Sequence, residues 1–365
     1  MFTQATRDFL TRFDQNMDFK LPLFGKIFST PAHIDLMSKK LDQKLARIRN
    51  GQYTPKDFII ADAKDADMAN GCKTAGLQKG SSSRYNPIQV YRDDMRKIME
   101  SDLVDIMLTS LSSAEILTQQ GAYANTEITP AVRLNDTTDI WVGRGASYSS
   151  QPALPFRTAR LDRVKPVADL GLYAITFYND LQQDHRTLEE YARFRDEASA
   201  QGVRHFLEVF NPQTHVVTPG ADFGSYNNDA IVRCLAAVSK HDRPLFLKAA
   251  YNGPAATEEI ASYDPANLIF GILGGGAGTT RDCLELIRQA EKYGARVALF
   301  GRKIYYAEDS VTMVTAMRRT IEEKLDSVEA TKAYHADLQK LGISPFRELN
   351  ADLELTEEVL KACLD

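Results

Sequence analysis

Eight short apolar, β-rich runs, separated by amphipathic helical stretches, constrain this chain more than any other feature. They start at Asp57 (DFIIADAKDAD), Leu103 (LVDIMLTS), Pro130 (PAVRLND), Gly171 (GLYAITFYND), Val203 (VRHFLEVFNP), Arg243 (RPLFLKAAYNGP), Asn267 (NLIFGILGGGAG) and Ala295 (ARVALFGRKIYY). The intervening segments carry helix punctuation. TLEEYARFRDEASAQG (187–202) and DCLELIRQAEKYG (282–294) each close on a glycine, and DSVTMVTAMRRTIEEKL (309–325) opens on Asp309 or Ser310 as an N-cap. Strand–helix alternation of this kind predicts a parallel sheet, and eight strands in about 250 residues fit a (β/α)8 TIM barrel. A doubly wound open sheet is the competing arrangement. It is disfavoured because the last strands finish in glycine-rich or polar loops on one edge. The expected organisation is an N-terminal helical extension over 1–56, the α/β barrel over 57–325 and a C-terminal helical extension over 326–365.

Composition bounds the function classes. The 365 residues are 44% hydrophobic and 25% charged, as in an ordinary globular protein. A net charge of −5 offers no footprint for nucleic acid, and no apolar run reaches membrane length. The four cysteines (Cys72, Cys234, Cys283, Cys363) form no C-x-x-C pair, which fits a reducing cytoplasm better than a disulfide framework. The N-terminal MFTQATRDFLTRFDQNMDF has no continuous apolar core, so it reads as neither a signal peptide nor a membrane span.

In barrels the chemistry sits where strands end and their following loops begin. At those ends stand Asp62, Lys64 and Asp65; Arg133, Asn135 and Asp136; Glu208 and Asn211; and Lys248 and Tyr251. The last two strands end in glycine: GGGAGTT (274–280), then Gly301 and Arg302. Bare backbone N–H groups running into a helix that begins near Thr280 suit a phosphate dianion, and Arg302 adds a cation. The plainer reading is that these glycines only make tight turns. The run lacks the spacing and position of a dinucleotide-binding fingerprint.

Lys248 ends an apolar strand. Desolvation and neighbouring cations favour a neutral amine, which can attack a carbonyl and form a Schiff base. The alternative is a lysine that merely pairs with Glu208 or Asp62. Of the six histidines only His205 lies inside a strand, and a metal site built from His205, His215 and Glu208 is disfavoured.

From Pro244 to Arg319 these residues resemble the second half of the class I, Schiff-base aldolase barrels of the bacterial and archaeal fructose-bisphosphate and tagatose-bisphosphate types. The resemblance extends more loosely over 55–325. It implies Lys248 as the Schiff-base nucleophile, with Gly274, Gly275, Gly276, Gly301 and Arg302 holding phosphate. It also implies Asp62 at the end of the first strand, and Glu208 as in the fifth strand of the tagatose-bisphosphate type. Arg133 and Lys64 join the expected substrate contacts, and Tyr178 and Tyr251 are further proton donors to consider. Two features depart from the pattern. The first-strand motif is DAKDAD rather than Asp-His-Gly or Asp-Gln-Arg, and Phe210 stands near the place of a tyrosine acid/base.

The implied activity is a metal-free carbon–carbon lyase of carbohydrate metabolism. It acts without a cofactor on a small phosphorylated ketose or keto compound, in a homo-oligomer to which the C-terminal extension could contribute contacts. Lysine-dependent acyl transfer on a phosphorylated diketone and a non-catalytic sugar-phosphate-binding barrel are the alternatives. The stretch 65–86 is expected to form a long first loop that reshapes the pocket.

Overall fold

The computed structural model describes residues 39–274 and 278–362. Eight strands close into a parallel barrel: β1 (Ile59–Lys64), β2 (Ile106–Thr109), β3 (Thr129–Arg133), β4 (Leu170–Thr176), β5 (Arg204–Phe210), β6 (Leu247–Ala249), β7 (Gly271–Leu273) and β8 (Val297–Phe300). Each strand pairs with its neighbours in sequence, and β1 closes on β8 with Ile59 opposite Val297. All eight expected runs supply one strand each, so the architecture is a (β/α)8 barrel.

The strands read as continuous apolar runs because both of their faces are buried. Alternate residues serve two cores. Ile59, Ala61, Ile106, Leu172, Phe206, Phe246 and Leu299 fill the barrel interior. Phe58, Ile60, Met107, Tyr173, Leu207 and Phe300 pack outward against the helical layer. The first helix, α1 (Lys40–Arg49), turns Leu41, Leu45 and Ile48 into the interior cluster.

The outer layer is built from amphipathic helices. In α2 (Ile88–Ser101) the buried positions are Tyr91, Met95, Ile98 and Met99, at helical spacing. Next come α3 (Leu111–Gln119) and α4 (Leu181–Gln201), the latter ending as expected at Gly202 with φ +64°. The layer continues with α5 (Phe223–Ala236), α6 (Pro254–Tyr263), α7 (Thr280–Lys292) and α8 (Ser310–Glu322). Asp309, rather than Ser310, caps α8 by accepting the Thr312 N–H at 2.8 Å. Of the C-terminal stretch, α9 (Ser327–Lys340) and two single-turn helices, Leu349–Asp352 and Glu358–Lys361, are described. Among the described residues no helix is long and apolar enough to cross a membrane. Of the expected N-terminal extension, residues 1–38 lie outside the described residues.

Sequence reasoning missed one element. After β3 the chain forms a two-stranded antiparallel ribbon, Asp136–Thr137 against Pro155–Phe156. The excursion between them carries Trp141, whose ring meets Tyr148 and Phe156 edge-on at 5.2 and 4.8 Å. The Val142 N–H donates to Ala69 O at 3.1 Å, which ties this excursion to the long loop after β1.

Candidate active site

A cavity of about 420 Å³ opens at the C-terminal ends of the strands, a size suited to a small-molecule ligand. Its walls come from inward-facing residues of several strands: Ala63, Arg133, Glu208, Lys248, Leu273 and Leu299. Residues of the following loops complete it, including Asp65, Asn70, Asp139, Asn211, Gly274, Gly301 and Arg302. The long loop after β1 shapes the pocket through Asp65, Ala66, Ala69 and Asn70.

Lys248 and Glu208 are register partners on β6 and β5. Both are inward-facing by the strand parity that puts Phe246 and Phe206 in the interior core. Lys248 Nζ lies 2.6 Å from Glu208 Oε1. Lys248 is 6% exposed and Glu208 1%. Desolvating either charge alone is costly, and the pairing offsets much of that cost.

Arg133, on β3, approaches Glu208 from the other side. Its Nη1 lies 3.3 Å from Glu208 Oε2 and 2.9 Å from Asp65 Oδ2, while Nε donates to Asn135 O at 2.8 Å. Burial works against its charge, but Glu208 and Asp65 outweigh burial and raise the guanidinium above its ordinary value. Asn135 supports this corner by bonding both ways with the Ala174 backbone across to β4. The expectation of Arg133 as a phosphate ligand meets a different geometry, since two carboxylates already hold it.

Asp62 and Lys64 take no place in the cavity. They share the outward face of β1 with Ile60, whereas Ala61 and Ala63 face inward. Lys64 Nζ lies 3.2 Å from Asp62 Oδ2 and 2.8 Å from Asp94 Oδ2 of α2, and 4.9 Å from the Tyr305 ring centre. Burial pushes the Asp62 carboxyl up to about 7, with Lys64 pulling the other way. Both side chains therefore belong to the layer between β1 and α2. The acidic group that β1 delivers to the cavity is Asp65, one of the strand-end residues but not one of those selected from sequence.

The other proton-transfer candidates also point elsewhere. Tyr178 OH donates to Asp139 Oδ2 at 2.9 Å and accepts the Ala153 N–H at 2.7 Å. Tyr251 OH donates to Gln289 Oε1 at 2.8 Å. His205 shares the outward face of β5 with Leu207 and meets Tyr191 OH at 2.8 Å, so it cannot join Glu208 at one ion. Burial lowers its imidazole to about 3.

On the glycine side, Gly274, Gly301 and Arg302 line the cavity, and Gly275 and Gly276 lie outside the described residues. At Gly301 the strands come close: a Cβ there would stand 2.4 Å from Ala63 O, so a side chain is excluded by contact. The start of α7, expected to face a phosphate, is already occupied. The Thr279 N–H donates to Asp282 Oδ2, the Asp282 N–H donates to Thr279 Oγ1, and the Thr280 N–H donates to Asp352 Oδ1 at 2.8 Å. The C-terminal segment thus takes the Thr280 N–H, and the Thr279–Asp282 pair takes the other two donors that the glycine motif made look available. Lys303, missed from sequence, also lines the cavity and pairs with Glu357 of that segment at 3.2 Å.

A comparison with protein-family models finds no match, and a comparison with curated proteins finds none either. Solved structures do match. One is described as an archaeal fructose 1,6-bisphosphate aldolase, at 14% identity and TM-score 0.54, covering 78% of this chain and 99% of that one. Another is an archaeal fructose-1,6-bisphosphate aldolase with its catalytic Lys covalently bound to the carbinolamine intermediate of the substrate, at 15% identity and TM-score 0.55, covering 77% and 99%. A third is a fructose-bisphosphate aldolase from Slackia heliotrinireducens DSM 20476, at 12% identity and TM-score 0.58, covering 83% and 93%. The chain therefore has the (β/α)8 barrel fold of solved fructose-bisphosphate aldolases, Schiff-base-forming ones among them.

Proposed function

We propose that the chain is a class I aldolase-type carbon–carbon lyase, acting through Lys248 on a small phosphorylated keto compound. The observation that carries this reading is the Lys248–Glu208 pair, 2.6 Å apart on the wall of the cavity at the strand ends. The likeness to Schiff-base aldolases adds support through the fold.

The pair accounts for the proton movements the chemistry needs. Lys248 gives a proton to Glu208, and the neutral Nζ bonds to the substrate carbonyl carbon. The carbonyl π electrons move to oxygen, which takes the proton back from Glu208. Glu208 then takes the second proton from the nitrogen and passes it to the hydroxyl group, and the freed Nζ lone pair expels that group as water and leaves an iminium. Ionised Glu208 accepts the proton of the hydroxyl on the carbon beyond the neighbouring one. The bond between those two carbons breaks, its electrons entering the iminium to give an enamine, and an aldehyde leaves. Protonation of the enamine and addition of water release the ketone and restore Lys248.

Arg302 and the backbone of Gly274 and Gly301 are the groups proposed to hold the phosphate. Asp62 and Lys64 have no part, because they face the helical layer.

The test is cleavage of a panel of ketose phosphates, with the released aldehyde followed by coupled reduction. Cleavage of at least one panel member, lost in Lys248→Met, is expected. Cleavage retained in Lys248→Met would overturn the mechanism.

A further inference from the structure

The two ends of the cavity differ in chemistry. The groups proposed to hold phosphate, Gly274, Gly301 and Arg302, follow β7 and β8. Around the closed ring β3 and β4 stand opposite those strands, and β6 and β5, with Lys248 and Glu208, lie between. A ligand held by its phosphate at β7 and β8 and by its carbonyl at Lys248 therefore extends its remaining atoms toward the excursion between β3 and β4. Among the described residues the cations that line the cavity are Arg133, Lys248, Arg302 and Lys303. Only Arg133, on β3, belongs to the far end, and Asp65 and Glu208 hold it at 2.9 and 3.3 Å. Asp139 adds a further carboxylate there. A second phosphate at the far end would meet these carboxylates with no uncompensated cation, and like-charge contact of that kind strongly disfavours binding.

The rest of the far end is apolar and open to a ligand. Ala66 and Ala69 come from the loop after β1, Ile140 and Val142 from the excursion, and Phe210 from the end of β5. The first three and Phe210 are half-buried, and Val142 is 47% exposed. Asn70 and Gln213 add neutral amides. This surface is held in place without a ligand. The Val142 N–H donates to Ala69 O at 3.1 Å, and Trp141 packs edge-on against Tyr148 and Phe156. An alkyl chain seated there would take apolar surface, its own and that of Val142, out of water.

We propose that the part of the substrate beyond the breaking bond is uncharged and apolar, so that the site cleaves monophosphates that release an apolar aldehyde and discriminates against bisphosphates. Ile140 and Val142 are then specificity residues. This rests on the Schiff-base reading of Lys248.

The experiment runs the reaction in the bond-forming direction. The iminium of dihydroxyacetone phosphate on Lys248 gives an α proton to Glu208 and becomes an enamine. The enamine carbon attacks the aldehyde carbon of an acceptor, whose oxygen takes that proton, and water then releases the product from Lys248. Butanal and glyceraldehyde 3-phosphate are offered at equal concentration, and both products are quantified by mass spectrometry. The wild type is expected to favour butanal by about 10-fold or more. Val142→Lys, at a position exposed enough to accept it, places a cation on the rim and should move the product ratio about 10-fold toward the phosphorylated acceptor. A general loss of structure would lower both products together and leave their ratio unchanged, so the ratio isolates the contact. Equal use of the two acceptors by the wild type, a preference for glyceraldehyde 3-phosphate, or a ratio that Val142→Lys leaves unchanged overturns the assignment.

If neither product forms, borohydride reduction with dihydroxyacetone phosphate separates the two possible failures. An adduct on Lys248 without product overturns the assignment of the far end. No adduct means that the Schiff-base reading fails, and the far end is then read by calorimetry with pentyl phosphate and 1,5-pentanediol bisphosphate. Tighter binding of pentyl phosphate by the wild type, shifted toward the bisphosphate in Val142→Lys, supports the assignment. Equal or tighter binding of the bisphosphate by the wild type, a preference that Val142→Lys leaves unchanged, or binding of neither probe overturns it.

Discussion

Glu208 and Lys248 stand opposite one another on adjacent strands, with Oε1 and Nζ 2.6 Å apart. The second oxygen of the same carboxylate reaches Arg133, which is held in turn by Asp65. Among the described residues, Glu208 is the acidic group that pairs with the proposed nucleophile.

That assignment separates Glu208 from Asp62. Glu208→Gln should lower adduct formation with dihydroxyacetone phosphate by about 100-fold or more, the scale of general acid–base catalysis. Asp62→Asn should change it less than about threefold, since that side chain faces α2. Asp62 has a different signature. Its folded carboxyl titrates at about 7, against a reference value of 3.8. Its contribution to stability is therefore fully present below pH 3.8 and is lost as pH rises through 7. Urea midpoints measured from pH 4 to 8 should show a fall in the wild type that Asp62→Asn flattens.

Asp105 predicts the opposite slope. It is fully buried, with Arg318 Nη2 at 2.6 Å and Lys44 Nζ at 2.8 Å. Burial alone would raise its carboxyl, but Arg318 and Lys44 outweigh burial and hold it below its ordinary value. The stability this adds is present above the unfolded value of 3.8 and is lost as pH falls below it. Arg318→Met should cost about 3–5 kcal/mol at neutral pH, as for other broken buried pairs. It should also flatten the acid limb of the stability profile, measured by denaturant titration.

Gly301→Ala tests how tightly β8 leaves the barrel. The added methyl would stand 2.4 Å from Ala63 O, so the ends of β1 and β8 must part. A loss of about 1–3 kcal/mol is expected, the usual range for overpacking. The measurement is the thermal midpoint, together with binding of inorganic phosphate by calorimetry, which should weaken. An unchanged midpoint and unchanged binding would argue against this placement.

Asp352 gives the C-terminal segment a testable structural role. Its carboxylate accepts the Thr280 N–H at 2.8 Å and meets His335 Nε2 at 2.9 Å. Asp352→Ala leaves both groups without this partner and should cost about 1–3 kcal/mol. Thermal denaturation should show a lower midpoint, with amide exchange accelerated at the first turn of α7.

The barrel was legible from sequence because the strand runs are continuously apolar and several helices carry their own punctuation, as Asp309 and Gly202 do. The same double burial hid the facing of β1. With Ile59 to Lys64 buried throughout, no alternation tells which side is interior, so Asp62 and Lys64 looked as eligible as Asp65. On β5 and β6, Glu208 and Lys248 each stand two residues beyond an interior phenylalanine and line the cavity. The occupied start of α7 was beyond sequence reasoning for another reason. Its partner, Asp352, lies 72 residues away, and nothing local to GGGAGTT signals a carboxylate arriving from there. The ribbon after β3 was missed because its strands are two residues each, too short to carry a period.

The most direct measurement is peptide mapping by mass spectrometry after borohydride reduction in the presence of dihydroxyacetone phosphate. One reduced adduct is expected, on the peptide containing Lys248, absent from Lys248→Met and strongly reduced in Glu208→Gln. An adduct on another lysine, or full catalytic turnover by Lys248→Met, would contradict it.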